Sequence, residues 1–469
     1  MSGGAGHSTD NPYTRGIAEF VAGLRYPRIP TEVRERLKLL VLDSLGCALY
    51  GARLHWSEIL IRCLAQLDRS DDCGAWGTAR RFSAPHAALI NGTLVQGFEL
   101  DDVHRQGVLH VGAVTLPPLF AVCELRPGMT GEDFVKAAVA GYEVGPRVGM
   151  CMGPEHIGQG WHSGATVGVF SAAAGAAAGL GLSADATVHA LGIAGTQSAG
   201  LMAAQYGAMV KRMHAGRSAQ SGLYAAWLAE AGFTGIRNVF ESEYGGFCTT
   251  FSRSTDRFDL TQLTAGLGER FETMGIALKF YACVGSNHTT LDAIRSIRAR
   301  HRFTAEDIDK ITVHGSRVTV DHVGWPYAPQ GLTAAQLNLP YCVATLLLED
   351  DVFVDQLREE LVADPARVAL SRKVEVVEDP AITAKGAKYR HLVRVQVRLK
   401  DGTFLQQEME AARGSEKNFA SSDEVIRKFL TLSKHTLSAS AAGELCDRIL
   451  ALEKLEDAAT LPRLLSTLQ

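Results

Sequence analysis

The sequence lacks the motifs that mark most cofactor enzymes. It has no GxxxxGK[ST] loop, no GxGxxG turn after a strand and no HExxH helix. Nucleotide, nicotinamide and zinc-peptidase readings therefore lose the backbone cradle or the ligand pair they need. The nine cysteines (Cys47, Cys63, Cys73, Cys123, Cys151, Cys248, Cys283, Cys342 and Cys446) stand singly, with no CxxC pair. That pattern argues against a zinc knuckle or redox motif and for small core residues in a reducing compartment. The chain has no excess of one charge: its formal net charge is −4, which gives no electrostatic reason to expect nucleic acid as partner. It also opens without an apolar stretch. MSGGAGHSTDNPYTRG is polar and Gly-rich, reads as a disordered arm, and leaves a cytoplasmic location as the expectation. The most apolar run, 167–182, is mostly Ala and Gly. It falls short of the roughly 18 to 20 apolar residues a membrane span needs and is expected to be a buried helix.

The chain does have a globular balance, with 46% hydrophobic and 21% charged residues in 469. That length suits two domains. Up to about residue 270 the pattern is helix after helix. Thr31 is placed to cap a helix running to Gly51. Thr130 with Asp133 starts another, Ser183 a third, and the Ala-rich SGLYAAWLAEAGFTG stops at Gly232. Dense small residues (AAAGAAAGLGL, LGIAGTQSAGLMAA) suit close helix packing. From 271 to 411 the pattern becomes α+β. Residues 303–310 read as a short helical lead with Thr304 and Asp307 as its box, and ITVHGSRVTV alternates as a strand. KVEVVED is a further strand, and LVRVQVRLK and TFLQQEME are joined at Asp401-Gly402 as a hairpin. After 412 helices return, opened by Ser421 and Glu424. The expected fold is mainly α. A discontinuous all-helical bundle (1–270 and 412–469) carries a smaller α+β lid (271–411) with a mainly antiparallel sheet.

Four clusters put ionisable residues into apolar or Gly-rich surroundings. FELDDVHRQGVLHVGA holds Asp101, Asp102, His104 and His110, which offer acid and base groups. The two histidines lack the i, i+4 spacing of a helical ligand pair, and the plainer reading is a polar loop. GQGWHSGATVG sets His162 among glycines. It misses the Gly-x-Ser-x-Gly elbow, which argues against a serine hydrolase. YGAMVKRMHAGRSAQSG holds Lys211, Arg212, His214 and Arg217, cations that suit substrate carboxylates if they are not merely a solvated face. LKFYACVGSNHTTLDAI holds Lys279, Tyr281 and His288. Together these groups suit proton transfer beside a carboxylate, followed by loss of water or carbon dioxide or by reprotonation.

In order and wording these segments, with VLDSLGCALYGA, GYEVGPRVG and LNLPYCVATLLL, resemble the MmgE/PrpD family over about residues 40–350. The resemblance implies a helical domain with an α+β lid and a site between them. It also implies a homodimer, and a cofactor- and metal-free enzyme acting on a small anionic polycarboxylate. Known activities in the family are 2-methylcitrate dehydration, cis-aconitate decarboxylation and iminodisuccinate epimerisation. Carried over residue by residue, it implies Asp101, Asp102, His110, His162, Lys211 and Lys279 as catalytic. It also implies His104, His214, Tyr281, His288 and Tyr327 as substrate-binding. Three departures stand out. Val284 occupies the place of a histidine in the decarboxylases, Ala282 stands where many dehydratases carry proline, and His110-Val111-Gly112 replaces the His-Pro-Gly of many dehydratases. A 2-methylcitrate dehydratase-like hydro-lyase is the leading expectation, with epimerase and decarboxylase as alternatives. A metal-dependent hydrolase built on Asp101, Asp102, His104 and His110, and a non-catalytic helical scaffold, are the rivals from other classes.

Overall fold

Glycine and alanine set how closely the helices of this protein approach one another. The computed structural model describes residues 11–153 and 155–465. The bundle is built on α1 (Thr31–Gly51), α2 (Ala84–Val95), α3 (Val111–Leu125), α4 (Gly131–Met152), α5 (Gly168–Leu180), α6 (Ala184–Gly195) and α7 (Val210–Glu230). Helix α5 is central and packs against α3, α4, α6 and α7. A Cβ at Gly92 on α2 would lie 2.7 Å from the Gly216 Cα on α7, and one at Gly222 would lie 2.3 Å from the Ala172 Cβ on α5. No larger residue permits these crossings. The expected buried helix is α5; the longer run Ser163–Leu180 reaches 18 residues with mean hydropathy 1.3, so by length and composition alone it matches a membrane span. In the fold 89% of it is buried.

Several sequence-read boundaries coincide with the structure. Thr130 accepts from the Asp133 N–H, Ser183 accepts from the Ala186 N–H, and Gly232 takes φ +87° after α7. Others move. Residues 1–10 of the expected arm lie outside the described residues, and its remainder enters the helix Pro12–Gly23. Thr31 is the first residue of α1 and Pro30 precedes it as cap. Thr304 and Asp307 close a hydrogen-bonded turn, not a helical lead. The expected strand ITVHGSRVTV ends at Gly315, where Ser316 caps a helix, Arg317–Val323, by accepting from the Thr319 N–H.

The lid holds β1 (Ile308–Gly315), β2 (Val374–Glu378), β3 (Val393–Leu399) and β4 (Phe404–Met409) in the order β2-β1-β3-β4. The β1/β2 pair is parallel and the others are antiparallel. Period-two alternation buries Val393, Val395 and Val397 beside Ile311 and Val313. The sheet packs on α8 (Gly285–Arg300) and α9 (Leu339–Glu349). After the lid, α10 (Ser422–Ser433), with the expected Ser421–Glu424 capping box, returns to pack on α1, followed by α11 (Ala439–Leu450). The fold is a helical bundle with a smaller α+β lid. All nine cysteines are unpaired, and all but Cys63 are buried.

Candidate active site

The site grows from the end of α2. There a 3-10 turn, Gln96–Phe98, leads into Glu99, which takes the left-handed conformation at φ +58°. Few non-glycine residues adopt it. The chain then runs through Asp101 and Asp102 into a two-residue strand, Val103–His104, paired with Ile276–Ala277. That pairing draws Lys279 up to the acidic turn.

Glu99 is the hub. Its buried carboxylate accepts from Lys211, from Arg212 at 2.6 Å and from Lys279 at 3.4 Å. Lys279 also lies 3.9 Å from Asp101. Burial alone would raise the Glu99 pKa, but Lys211, Lys279 and Arg212 outweigh it and hold the carboxylate well below its ordinary range. Burial lowers the Lys211 pKa despite Glu99. Three fixed cations thus face two carboxylates, Glu99 and Asp101, which leaves a positive surplus for an anionic ligand.

Asp101 shares a 2.8 Å hydrogen bond with His110 Nδ1. Burial pushes its pKa up, but His110 and Lys279 overcome that and hold it below the usual carboxylate range. An ionised carboxylate at Nδ1 orients the imidazole and sets which ring nitrogen carries the hydrogen. The His110 and His162 rings lie 6.5 Å apart and 28° from parallel. His162 precedes the helical turn Ser163–Thr166, and its Nδ1 is 3.1 Å from that of His214 on α7, so one ring donates and the other accepts. Burial, then Lys211, His214 and His110, push His162 well below its ordinary pKa. Burial and Lys211 bring His214 to about 4. Both rings are neutral near pH 7.

The remaining expected residues lie elsewhere. Asp102 turns away from the cations, accepts from the Gly112 N–H at 2.9 Å and sits beside Ser44 and Tyr142. His104 is fixed by Glu272 at 3.2 Å and by the Gly107 N–H at 3.0 Å, because the short strand pairing aims it there. Tyr281 donates to Asp292 at 2.5 Å. His288 donates from Nε2 to the Cys283 carbonyl at 3.1 Å and is lowered to about 3, by burial and then Lys279. Tyr327 donates to the Val362 carbonyl. Asp101 and His110 thus face each other, while Asp102 and His104 face other partners. Among the described residues no three His, Cys, Asp or Glu side chains are grouped as a metal ion would need.

Sequence reasoning missed Glu99 and Gln336 and left Arg212 unassigned. Gln336 accepts from Arg212 at 3.0 Å and donates to the Phe98 and Ala282 carbonyls, joining lid to bundle. Glu99 had a visible signal: a third acid in FELDD. Gln336 had none.

The chain matches the model of the MmgE/PrpD N-terminal domain over residues 15–259 and that of the MmgE/PrpD C-terminal domain over residues 281–453. It is 34% identical to the cis-aconitate decarboxylase-like protein oryM of Aspergillus oryzae, over 97% of both chains. It is 32% identical to a cis-aconitate decarboxylase of Aspergillus terreus, over 97% of this chain and 96% of that one. With the cis-aconitate decarboxylase of Mus musculus it shares 26% identity, over 96% and 93%. Two family models in register with one continuous cluster of acids, imidazoles and cations lead to one statement: the chain belongs to the MmgE/PrpD family, whose enzymes act on small polycarboxylates.

Proposed function

We propose that this protein is a cis-aconitate decarboxylase-type lyase. The observation that carries the reading is full-length similarity, at 32–34% identity, to fungal proteins named for that activity. The site supplies groups the reaction needs. In cis-aconitate the carboxylate on the saturated carbon lies β,γ to the alkene. Its C–C bond breaks and carbon dioxide leaves. The electron pair forms a new terminal double bond, and the old double bond's electrons move onto the far carbon and its carboxylate. One proton delivered to that carbon gives methylenesuccinate, so the trianion takes up one proton and releases one carbon dioxide. In this reading Lys211 and Lys279 hold the retained carboxylates and stabilise the extended anion. His110, backed by Asp101, delivers the proton. Neutral His162 lines the opposite side.

Val284 supports a second reading, dehydration of a 2-hydroxy tricarboxylate, because it removes an imidazole the decarboxylases carry. It is the first residue before α8, with its backbone N–H on the Gln336 carbonyl and its side chain against the lid core. The test is carbon dioxide release from cis-aconitate set beside alkene formation from 2-methylcitrate, using purified enzyme. Release from cis-aconitate at a kcat/KM at least about tenfold the dehydration value supports the decarboxylase. The reverse order makes the enzyme a hydro-lyase.

A further inference from the structure

The turn that places Glu99 also buries Gln96 completely. Gln96 is 0% exposed, and neither its amide nitrogen nor its amide oxygen meets a hydrogen-bond partner among the described residues. Buried polar atoms are nearly always paired within a fold, so an amide with both ends open is unusual. Gln336 provides the contrast: it is equally buried, and its amide oxygen and nitrogen are both engaged. The open Gln96 amide points to the catalytic cluster. A Cβ placed on Gly164 would lie 3.7 Å from Gln96 Nε2, 3.0 Å from His162 Cε1 and 3.2 Å from His162 Nδ1. Gln96 and the His162 ring therefore border the same small space, which exists because residue 164 carries no side chain.

We propose that Gln96 is a specificity-determining substrate residue. Its amide N–H donates to a carboxylate oxygen of the bound polycarboxylate on the His162 side of the site. Gly164 keeps the space between the two open. The inference rests on the polycarboxylate reading above. An amide suits this place: it recognises a carboxylate oxygen without adding charge beside Lys211, and it fixes orientation where the lysines supply attraction.

The test uses the full chain with Gln96→Met, which keeps the length and removes the amide, and Gly164→Ala, which fills the space while leaving Gln96 in place. For Gln96→Met we expect KM for cis-aconitate to rise about tenfold to a hundredfold, the value of a hydrogen bond to a charged group. The melting temperature should stay at or above that of the wild type. Gly164→Ala should raise KM in the same direction, and it replaces the first variant if Gln96→Met fails to fold. A KM within twofold of wild type in the folded variant overturns the proposal, including the case where the amide only held a structural water and its loss lowers the melting temperature. If the wild type does not turn over cis-aconitate, the functional reading fails separately. The proposal is then read from stabilisation by propane-1,2,3-tricarboxylate. A thermal shift present in wild type and lost in Gln96→Met supports it. Equal shifts, or none in either, overturn it.

Discussion

At the scale of single residues, two neighbouring aspartates do opposite things. Asp101 is ionised and backs His110; replacing it with Asn removes the carboxylate that orients the imidazole. We expect Asp101→Asn to lower kcat about a hundredfold or more, checked by steady-state carbon dioxide release. Asp102 is raised from 3.8 to about 8, first by burial and then by Asp101 and Asp43, against the Gly112 N–H bond. A folded-state pKa above the unfolded value means that the folded protein holds a proton the unfolded chain has released. This contribution to stability is full below about pH 4 and is lost as pH rises towards about 8. Unfolding in urea at about pH 5 and pH 8 should show wild type losing more stability at the higher pH than Asp102→Asn does. An equal loss would contradict the assignment. The sequence displayed both aspartates but not their directions. Those depend on the Glu99 turn and the Val103–His104 pairing, which are set by contacts with residues far along the chain, Lys279 and Ile276 among them.

At the scale of elements, α7 carries Lys211, Arg212 and His214, and its approach to α2 is fixed by glycine. A Cβ at Gly216 would lie 2.1 Å from the Leu89 carbonyl. We expect Gly216→Ala to destabilise the fold by about 1–3 kcal/mol through overpacking, measured by chemical denaturation, and to weaken turnover by displacing the cations one turn away. Helix α10 reaches back from the far end of the chain: Lys428 donates to Asp43 at 2.6 Å and to the Leu100 carbonyl at 2.7 Å. Lys428→Met leaves Asp43 buried without its partner and should cost about 3–5 kcal/mol. A loss under about 1 kcal/mol in the same denaturation assay would show that the pair does not hold the acidic turn. Elements were the most legible level. Period-two strands, the Asp401-Gly402 hairpin and the side-chain caps are local signals. Thr304 and Ser316 misled because a capping residue closes a turn or starts a helix according to the tertiary contacts of the residues after it.

At the scale of the whole molecule, the bundle contributes the acids, imidazoles and Lys211, and the segment entering the lid contributes Lys279. Gln336 fastens the two through bonds to Arg212, Phe98 and Ala282. The bundle-and-lid fold could be read from the shift in periodicity near residue 270. The choice among the family's reactions could not, since Val284 pointed one way and full-length similarity points the other. The deciding measurement is proton NMR of cis-aconitate in deuterium oxide, with wild type and His110→Gln side by side. We expect wild type to give methylenesuccinate carrying one deuterium on its saturated carbon. We expect His110→Gln to give the same product at least about a hundredfold more slowly. Unchanged cis-aconitate with wild type, or undiminished turnover by His110→Gln, would contradict the assignment of this site and its chemistry.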